Sequence, residues 1–303
     1  MTKPVILISA GDPLGIGPEV TVKALQHPSL RRVCTPIIIG EINSLRAVGW
    51  TEKLAPLIAL ESALPKPHRI GPSAWGGTLS FKAVQLACKL AAQRQAAVVT
   101  APISKQSWAL AGVPFTGHTE FLRKYYGPNA LMMFVSGKLC CGLVSEHFAI
   151  GDLPTLLTRQ KIVQAARLLH AALQQRGHKK PLIALSGLNP HNGDNGQFGR
   201  EEITRILPAV RSLRQEGLSV QGPFPIDSLW TKHLHGQFDG ILCMYHDQAL
   251  LGLKLAAREP IVHITAGLQI TRTSPTHGTA FDISGQNKAD PSSMIAAILE
   301  AVH

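Results

Sequence analysis

The sequence predicts a layered α/β protein. Short apolar runs of strand length alternate with longer segments whose apolar residues recur at helical spacing, and Gly- and Pro-containing loops separate them. The chain has 303 residues, enough for one large or two medium domains, and its 45% hydrophobic and 16% charged residues exclude a disordered chain. No Pro/Ser-rich linker marks a boundary, so we expect any second domain to form where the chain crosses over and back.

The predicted elements alternate along the chain. Strands are predicted at 5–9, 37–40, 96–100, 181–187, 239–245 and 260–265, and two further runs at 131–135 and 139–144 flank a hairpin turn. Helices are predicted from about residue 18, and at 78–93, 159–176, 201–216 and 292–302. The segment 270–280 has one arginine among hydroxyl side chains and is predicted to be a loop.

The cysteines, the length of the apolar stretches and the N-terminal segment indicate the cellular compartment of the protein. The five cysteines are odd in number and include no CxxC motif, which indicates reduced thiols. No apolar stretch reaches the roughly 18 residues that span a bilayer. The N-terminal segment is typical of a first strand and not of a signal peptide. We therefore expect a cytoplasmic protein with no membrane partner.

The net charge of +11 permits binding of polyanions or of small anionic substrates. The positive charges are scattered along the chain, and aromatic residues make up only 5% of it, so stacking platforms for single strands are not evident. Nucleic-acid binding is therefore the weaker alternative, and a small anionic substrate is favoured.

Three histidines each follow an apolar run and suggest a metal site. His147, His191 and His246 come just after predicted strands, and ligands of α/β sheets bind beyond the carboxyl ends of strands. Neutral imidazoles bind zinc, cobalt or manganese, and three of them leave positions open for substrate. A carboxylate such as Asp247 could orient the rings. Thirteen histidines give many chances for such spacing, so ordinary hydrogen-bonded histidines remain the alternative.

Two glycine-rich segments are candidates for close approach to a ligand. GDPLGIGPEV (11–20) lies between a predicted strand and a helix, but the dinucleotide fingerprint GxGxxG fails at Val20. A tight strand-to-helix loop explains it equally well. The segment 187–202, rich in glycine and asparagine, is either a ligand-binding loop or a long exposed one.

Two further segments are candidates for anion binding. His118 and Thr119 in FTGHTEF could bind an anion at a helix start, although Thr119 could equally be an N-cap. Arg272 has the planar fork that suits phosphate or carboxylate, although a lone arginine is more often an ion-pair partner. The absence of PCxxC and GxSxG argues against zinc-deaminase and serine-hydrolase chemistry.

Taken together, the motifs resemble one family. They occur in the order GDPLGIGPEV, TAPISK, FTGHTEF, GLNPHNGDNG, GREE, MYHDQ and TRTSPTHGTAFDI. The sequence resembles the 4-hydroxythreonine-4-phosphate dehydrogenase family of vitamin B6 biosynthesis, from about residue 5 to the C-terminal helix.

The resemblance implies a two-domain α/β/α fold similar to isocitrate and isopropylmalate dehydrogenases, with the active site in the interdomain cleft. We expect the first domain at 1–115 plus 270–303 and the second at 116–269. The resemblance also implies a homodimer with metal ligands shared between subunits, and NAD or NADP bound without the usual fingerprint.

The resemblance further assigns roles to individual residues. The implied ligands of a divalent ion (Zn, Co, Mg or Mn) are His147, His191 and His246. The implied substrate contacts are His118, Thr119, Lys254, His263 and Arg272. Lys254 or Asp227 is expected to handle protons. The family usually has asparagine where this chain has His263, so this position puts the identity of the substrate in doubt.

The implied reaction is the metal-dependent, NAD(P)-linked oxidation and decarboxylation of 4-phosphohydroxy-L-threonine to 3-amino-2-oxopropyl phosphate. Relatives that oxidise D-erythronate or D-threonate 4-phosphate are the first alternative. A phosphate acyltransferase, which has a broadly related fold and needs neither NAD nor a three-histidine site, is the more distant one.

Overall fold

The computed structural model describes residues 3–302. The contacts divide the chain into two compact units. The first contains the residues up to Pro128 together with those from Leu268 onward, and the second is Asn129–Gly267. In each unit, helices accompany strands of a β-sheet, so the predicted α/β class is confirmed.

The elements are numbered in chain order. The strands are β1 (Val5–Ser9), β2 (Thr35–Glu41), β3 (Leu57–Leu60), β4 (Ala97–Thr100), β5 (Leu131–Ser136), β6 (Leu139–Leu143), β7 (Ile183–Ser186), β8 (Val220–Phe224), β9 (Gly240–Cys243), β10 (Val262–Ala266) and β11 (Arg272–Pro275). The α-helices are α1 (Gly17–Gln26), α2 (Pro28–Val33), α3 (Ile42–Ala47), α4 (Ala74–Arg94), α5 (Lys105–Leu110), α6 (His118–Tyr126), α7 (Leu153–Leu156), α8 (Arg159–Gln175), α9 (Leu207–Gln215), α10 (Ile226–Leu234), α11 (His246–Ala256) and α12 (Ser292–Glu300). Short 3-10 turns lie at Ile150–Asp152, Pro190–Gly196 and Phe281–Ile283, and a π-helical turn lies at Glu202–Ile206.

In the first unit the strands are ordered β3-β2-β1-β4-β11, and the neighbouring strands pair in parallel. The central strands are apolar on both faces, as expected where helices cover both sides of a parallel sheet. Leu7 of β1, Val98 of β4 and Val84 of α4 are fully buried in one core cluster.

The first unit includes α6, which lies beyond the sequence-based boundary at residue 115. Phe121 and Leu122 of this helix are buried in the same core cluster as Leu7 and Val84. This apolar packing groups residues 116–128 with the first unit.

In the second unit the strands are ordered β10-β5-β6-β9-β7-β8. β5 and β6 form the predicted hairpin, with Ser136 paired to Leu139, and β10 adds to β5 in antiparallel orientation. β6, β9, β7 and β8 pair in parallel. The carboxyl ends of β6, β9 and β7 therefore lie side by side at one edge of this sheet.

Three strands were not predicted from the sequence: β3, β8 and β11. The prediction of a loop at 270–280 was wrong for Arg272–Pro275, because these residues pair in parallel with the buried strand β4. All four residues of β11 are buried, although three of them are polar. The sequence RTSP lacks the apolar residues that normally indicate such a strand.

The five cysteines are free thiols, and all are buried. Burial raises the pKa of the Cys88 and Cys140 thiols to about 12, so these groups stay protonated and unreactive at neutral pH. Between residues 3 and 302, none of the helices combines the length and the apolar character needed to cross a membrane.

Candidate active site

Two of the three predicted metal ligands lie together at the carboxyl edge of the second unit's sheet. His147 follows β6 by four residues, and His246 is the first residue of α11, three residues after β9. Their ring centroids are 5.4 Å apart, and the ring planes are tilted by 39°. Because β6 and β9 are neighbours in parallel, the strand pairing itself brings these two imidazoles together.

The two imidazoles line a cavity of ≈ 400 Å³ in the second unit. Its lining residues are Glu146, His147, Phe148, Ala149, Ile150, Leu153, Tyr245, His246 and Asp247. Phe148 and Ile150 are exposed, whereas the backbone before them is held by the amide of Ser145, which donates to the carbonyl of Met244. The cavity thus combines nitrogen and carboxylate donors with an apolar rim.

Asp247 fixes the orientation of the His246 ring. The Nδ1 atom of His246 lies 2.7 Å from Oδ1 of Asp247. A carboxylate only accepts hydrogen bonds, so Nδ1 carries the proton of this bond and Nε2 is the nitrogen that faces away from Asp247. This carboxylate–imidazole arrangement is the usual support for a metal-binding histidine, and it is the role that the sequence suggested for Asp247.

His191 lies in a loop with an unusual backbone. Six consecutive residues have positive φ: His191 (53°), Asn192 (57°), Gly193 (75°), Asp194 (42°), Asn195 (56°) and Gly196 (97°). A left-handed turn costs about 1–2 kcal/mol for each residue with a Cβ, although asparagine and aspartate tolerate it best. The Asn-Gly pairs of the sequence are the signal for this turn. The loop follows β7, the neighbour of β9, and the side chain of His191 is exposed.

The residues described at this edge supply two imidazole donors of the kind that divalent transition metals bind. Among residues 3–302, no group of three or more His, Cys, Asp or Glu side chains is arranged to hold a metal ion. The pair of His147 and His246, with the proton of His246 directed at Asp247, offers two nitrogens of the kind that zinc, cobalt and manganese bind. A further ligand is needed to complete such a site.

In the first unit, His118 and Thr119 begin helix α6. Gly117 is the N-cap, so Thr119 is not the capping residue that the sequence offered as an alternative. Glu120 instead accepts hydrogen bonds from the amide and the hydroxyl of Thr116. These contacts fix the start of the helix and leave the side chains of His118 and Thr119 half-buried.

The half-buried imidazole of His118 has a buried Nε2 atom and a pKa that favours the neutral form. Its ring packs edge-to-face on Trp108, with centroids 5.5 Å apart, and its Nε2 atom is buried with no hydrogen-bond partner among residues 3–302. Burial, followed by the positive charge of Arg272, holds the pKa of His118 well below its usual value. The ring is therefore uncharged at neutral pH and can donate or accept one hydrogen bond without carrying charge.

Arg272 is almost completely buried on β11, with 2% of its surface exposed. Its Nη2 donates to the hydroxyl of Thr100 at 2.7 Å. Burial lowers the pKa of Arg272 to about 10, against the opposing effect of Cys88, and the guanidinium stays charged at neutral pH. A buried positive charge near the neutral His118 attracts an anion strongly, because little water is present to screen it.

The remaining predicted substrate residues lie in the second unit. His263 is buried on β10 opposite Phe134, and the two rings are stacked with centroids 5.1 Å apart. Lys254 is exposed near the end of α11, the helix that begins with His246. Asp227 is exposed in the first turn of α10, where its Oδ1 accepts from the amide of Ser228 at 2.8 Å.

The sequence interpretation missed residues that support this edge of the sheet. Gln248, in the MYHDQ motif, and Glu202, in the GREE motif, are polar but buried. Their partners lie up to 62 residues away along the chain, which no local pattern reveals. Tyr245 and Glu146, which flank the two histidines, also line the cavity.

The fold and the site define a two-unit α/β protein with paired histidines at the carboxyl ends of parallel strands. The model of the family described as "Pyridoxal phosphate biosynthetic protein PdxA" matches residues 32–301, and the chain belongs to this family. The resemblance drawn from the sequence motifs is therefore confirmed.

Relatives with established names are similar over nearly the whole chain. A 4-hydroxythreonine-4-phosphate dehydrogenase of Geobacter metallireducens is 36% identical and covers 99% of this chain and 95% of its own length. A D-threonate 4-phosphate dehydrogenase of Cupriavidus necator is 38% identical over 97% of this chain and 95% of its own. A solved structure of 4-hydroxythreonine-4-phosphate dehydrogenase from Klebsiella pneumoniae superposes with a TM-score of 0.87, at 32% identity over 99% of this chain and 98% of its own.

Proposed function

We propose that this protein is an NAD(P)-dependent dehydrogenase that oxidises and decarboxylates 4-phosphohydroxy-L-threonine to 3-amino-2-oxopropyl phosphate, a step of vitamin B6 biosynthesis. Family membership and the relative named 4-hydroxythreonine-4-phosphate dehydrogenase support the reaction class. The structural observation that carries the proposal is the pair of His147 and His246, with Asp247 behind it, at the carboxyl edge of the sheet.

We propose that His147 and His246 hold a divalent ion, zinc, cobalt, magnesium or manganese, and that His191 is the third ligand. A bound ion of this kind would stabilise the negative charge that develops on the substrate oxygen during oxidation and decarboxylation. Asp247 keeps the Nε2 lone pair of His246 directed away from itself. In a homodimer, the family's sharing of ligands between subunits would complete the set that one chain leaves incomplete.

In the first unit, Arg272, His118 and Thr119 are the residues proposed to bind the anionic groups of the substrate. The buried guanidinium supplies charge, and the neutral imidazole supplies a hydrogen bond through its buried Nε2, which has no hydrogen-bond partner among residues 3–302. Such contacts fix the orientation of the carbon that loses hydride.

In the second unit, Lys254 and Asp227 are proposed for proton transfer, and His263 for substrate contact. Both Lys254 and Asp227 are exposed, so they can exchange protons with solvent. His263 is held flat against Phe134, which limits the space it can occupy.

We also propose that the protein is a homodimer and that it is located in the cytoplasm. Leu251 and Leu255 are 65% and 80% exposed and lie four residues apart on α11, the helix that begins with His246. Exposed leucines at this spacing form an apolar stripe that suits a subunit interface. A homodimer in the cytoplasm, without nucleic-acid or membrane partners, agrees with the composition.

D-Threonate or D-erythronate 4-phosphate is the second candidate substrate. The relative from Cupriavidus necator, named D-threonate 4-phosphate dehydrogenase, and the histidine at position 263 favour this alternative. These acids carry a hydroxyl where 4-phosphohydroxy-L-threonine carries an amino group. We expect the side chain at position 263 to discriminate between the amino group and the hydroxyl.

The test is a metal-dependent assay with the competing substrates. Chelated protein is supplied with zinc, cobalt, magnesium or manganese, and the reduction of NAD and of NADP is followed with each acid phosphate at equal concentration. We expect no turnover after chelation and recovery with a metal. Activity that is indifferent to chelation contradicts the metal site, and acyl transfer to phosphate without NAD reduction would favour the phosphate acyltransferase alternative.

A further inference from the structure

A single buried amide links two strand ends at the proposed metal site. Gln248 lies in the first turn of α11 and is 7% exposed. Its Oε1 accepts the amide hydrogen of Met244 and the hydroxyl hydrogen of Ser186, both at 2.9 Å. Its Nε2 donates to the carbonyl of Gly187 at 2.8 Å. The side-chain amide thus serves both as acceptor and as donor.

These contacts join the segments that carry two of the proposed ligands. Met244 directly follows β9 and precedes His246 by two residues, whereas Ser186 ends β7 and Gly187 begins the loop of His191. Parallel strands lose their ladder partners where they end, so the backbone groups there need other partners. Gln248 supplies these partners for both strands at once.

A residue of a third element, helix α10, also holds Gln248 in place. Its backbone carbonyl accepts from the indole Nε1 of Trp230 on α10 at 2.7 Å. The same indole lies so close to Gly252 that a Cβ there would come within 2.2 Å of Nε1. α10 and α11 are therefore held in close contact at the start of α11.

Glu202, which lies beyond the end of the same loop, holds the residues at its start. It is 2% exposed, and its Oε1 accepts the amide hydrogens of Leu188 and Asn189 at 2.8 and 2.7 Å. Its Oε2 accepts from the side-chain amide of Asn189 at 3.0 Å. The left-handed turn that carries His191 thus begins from a backbone fixed by Gln248 at Gly187 and by Glu202 at the next two residues.

We propose that Gln248 is a positioning residue that sets the distance between the His246 segment and the His191 loop for a divalent cation. The inference rests on the proposed metal site and deepens it. Without this amide, β7 and β9 would remain paired and the amide of Met244 would keep its longer bond to the hydroxyl of Ser186, 3.2 Å, but the two segments beyond the strands would be held less firmly. Residues that support metal ligands in this way typically change metal affinity roughly 10- to 100-fold when replaced.

The test replaces Gln248 by methionine, which keeps the length and bulk of the side chain and removes its hydrogen bonds. Co(II) is titrated into the metal-free full-length dimer or monomer, whichever the wild type forms, and the visible ligand-field absorption is followed. We expect Co(II) affinity to fall roughly 10- to 100-fold and the absorption bands to change shape. Gln174→Met on α8, an exposed position in the same unit, is the matched control and should leave both unchanged.

A smaller change covers the case in which Gln248→Met does not fold. Ser186→Ala removes the hydroxyl that donates to Gln248 and accepts from the amide of Met244, and it leaves the bonds of Gln248 to Met244 and Gly187. We expect a weaker effect in the same direction, together with faster hydrogen exchange at the amide of Met244. If the Co(II) spectrum and affinity match the wild type in both variants, or in Ser186→Ala when it alone folds, the positioning role is overturned. A wild-type protein that binds no Co(II) overturns instead the metal site, and the positioning role with it.

Discussion

Replacing Glu202 by alanine removes the acceptor on which the start of the His191 loop depends. Two backbone amides, of Leu188 and Asn189, donate to its Oε1 at 2.8 and 2.7 Å. Once the carboxylate is gone, these two amides lose their acceptor and must bond to water. The left-handed residues that follow keep their conformational cost, because asparagine and aspartate prefer other conformations when nothing holds them.

The magnitude follows from the two orphaned amides. A part-buried donor that loses its partner costs about 1–3 kcal/mol, so two of them cost about 2–6 kcal/mol. Water can reach this loop, which places the expected value at the lower end, about 2–3 kcal/mol. The change is local, because the strands on either side keep their pairing. A loss of about 2 kcal/mol raises the open fraction of the loop about 30-fold.

Hydrogen exchange measures this local opening directly. In Glu202→Ala, the amides of Leu188 and Asn189 should exchange about 30-fold faster or more than in the wild type, whereas the amides of β7 should change little. Glu52→Ala, at an exposed position of the first unit, is the control for loss of a carboxylate. Exchange of Leu188 and Asn189 within threefold of the wild type would refute the reasoning that Glu202 holds this loop.

Three further predictions concern the histidines. His246→Ala should abolish NAD reduction and leave the circular dichroism spectrum unchanged, because the ring lies at the surface of the cavity; turnover near the wild-type rate would contradict its role. His263→Asn should shift kcat/KM toward 4-phosphohydroxy-L-threonine relative to D-threonate 4-phosphate, by about 10-fold or more, and an unchanged ratio would show that this position does not select the substrate. Burial lowers the pKa of His233, whose Nε2 accepts the amide hydrogen of Cys140 at 3.0 Å. The unfolded chain therefore binds this proton at higher pH than the folded chain, so stability should be steady above about pH 6.5 and fall as the pH drops below it. His233→Gln should reduce that slope in unfolding curves measured from pH 5 to 8.

The predictability of the fold depends on how each strand is buried. The apolar run that ends at Cys243 and the hairpin around Gly137 follow patterns that single sequences reveal, and both were predicted. β11 was missed because Arg272–Pro275 is polar, and its burial depends on the neighbouring strand β4, about 170 residues earlier in the chain. Local propensity carries no information about such a partner.

Some features of the candidate site could be predicted from the sequence and others could not. The positions of His147 and His246 after strands were visible in the sequence, and parallel pairing of β6 with β9 explains why the two rings meet. The neutral state of His118 and the stacking of His263 on Phe134 depend on burial among residues that are distant in sequence. The sequence motifs alone therefore identified the family, but they did not reveal the charge states or the contacts of these side chains.

The hydrogen bonds of Gln248 and Glu202 at the ends of β7 and β9 affect the order in which the proposed site forms. Gln248 and Glu202 bond to the backbone at both strand ends through their own side chains. The left-handed turn at His191 therefore need not wait for an ion to become ordered. An ion that binds a pre-arranged loop does not have to offset the entropy of ordering it, which favours tight binding. The strain of the turn is offset by the network of the folded chain, and this explains why buried polar residues stand where an apolar core would be simpler.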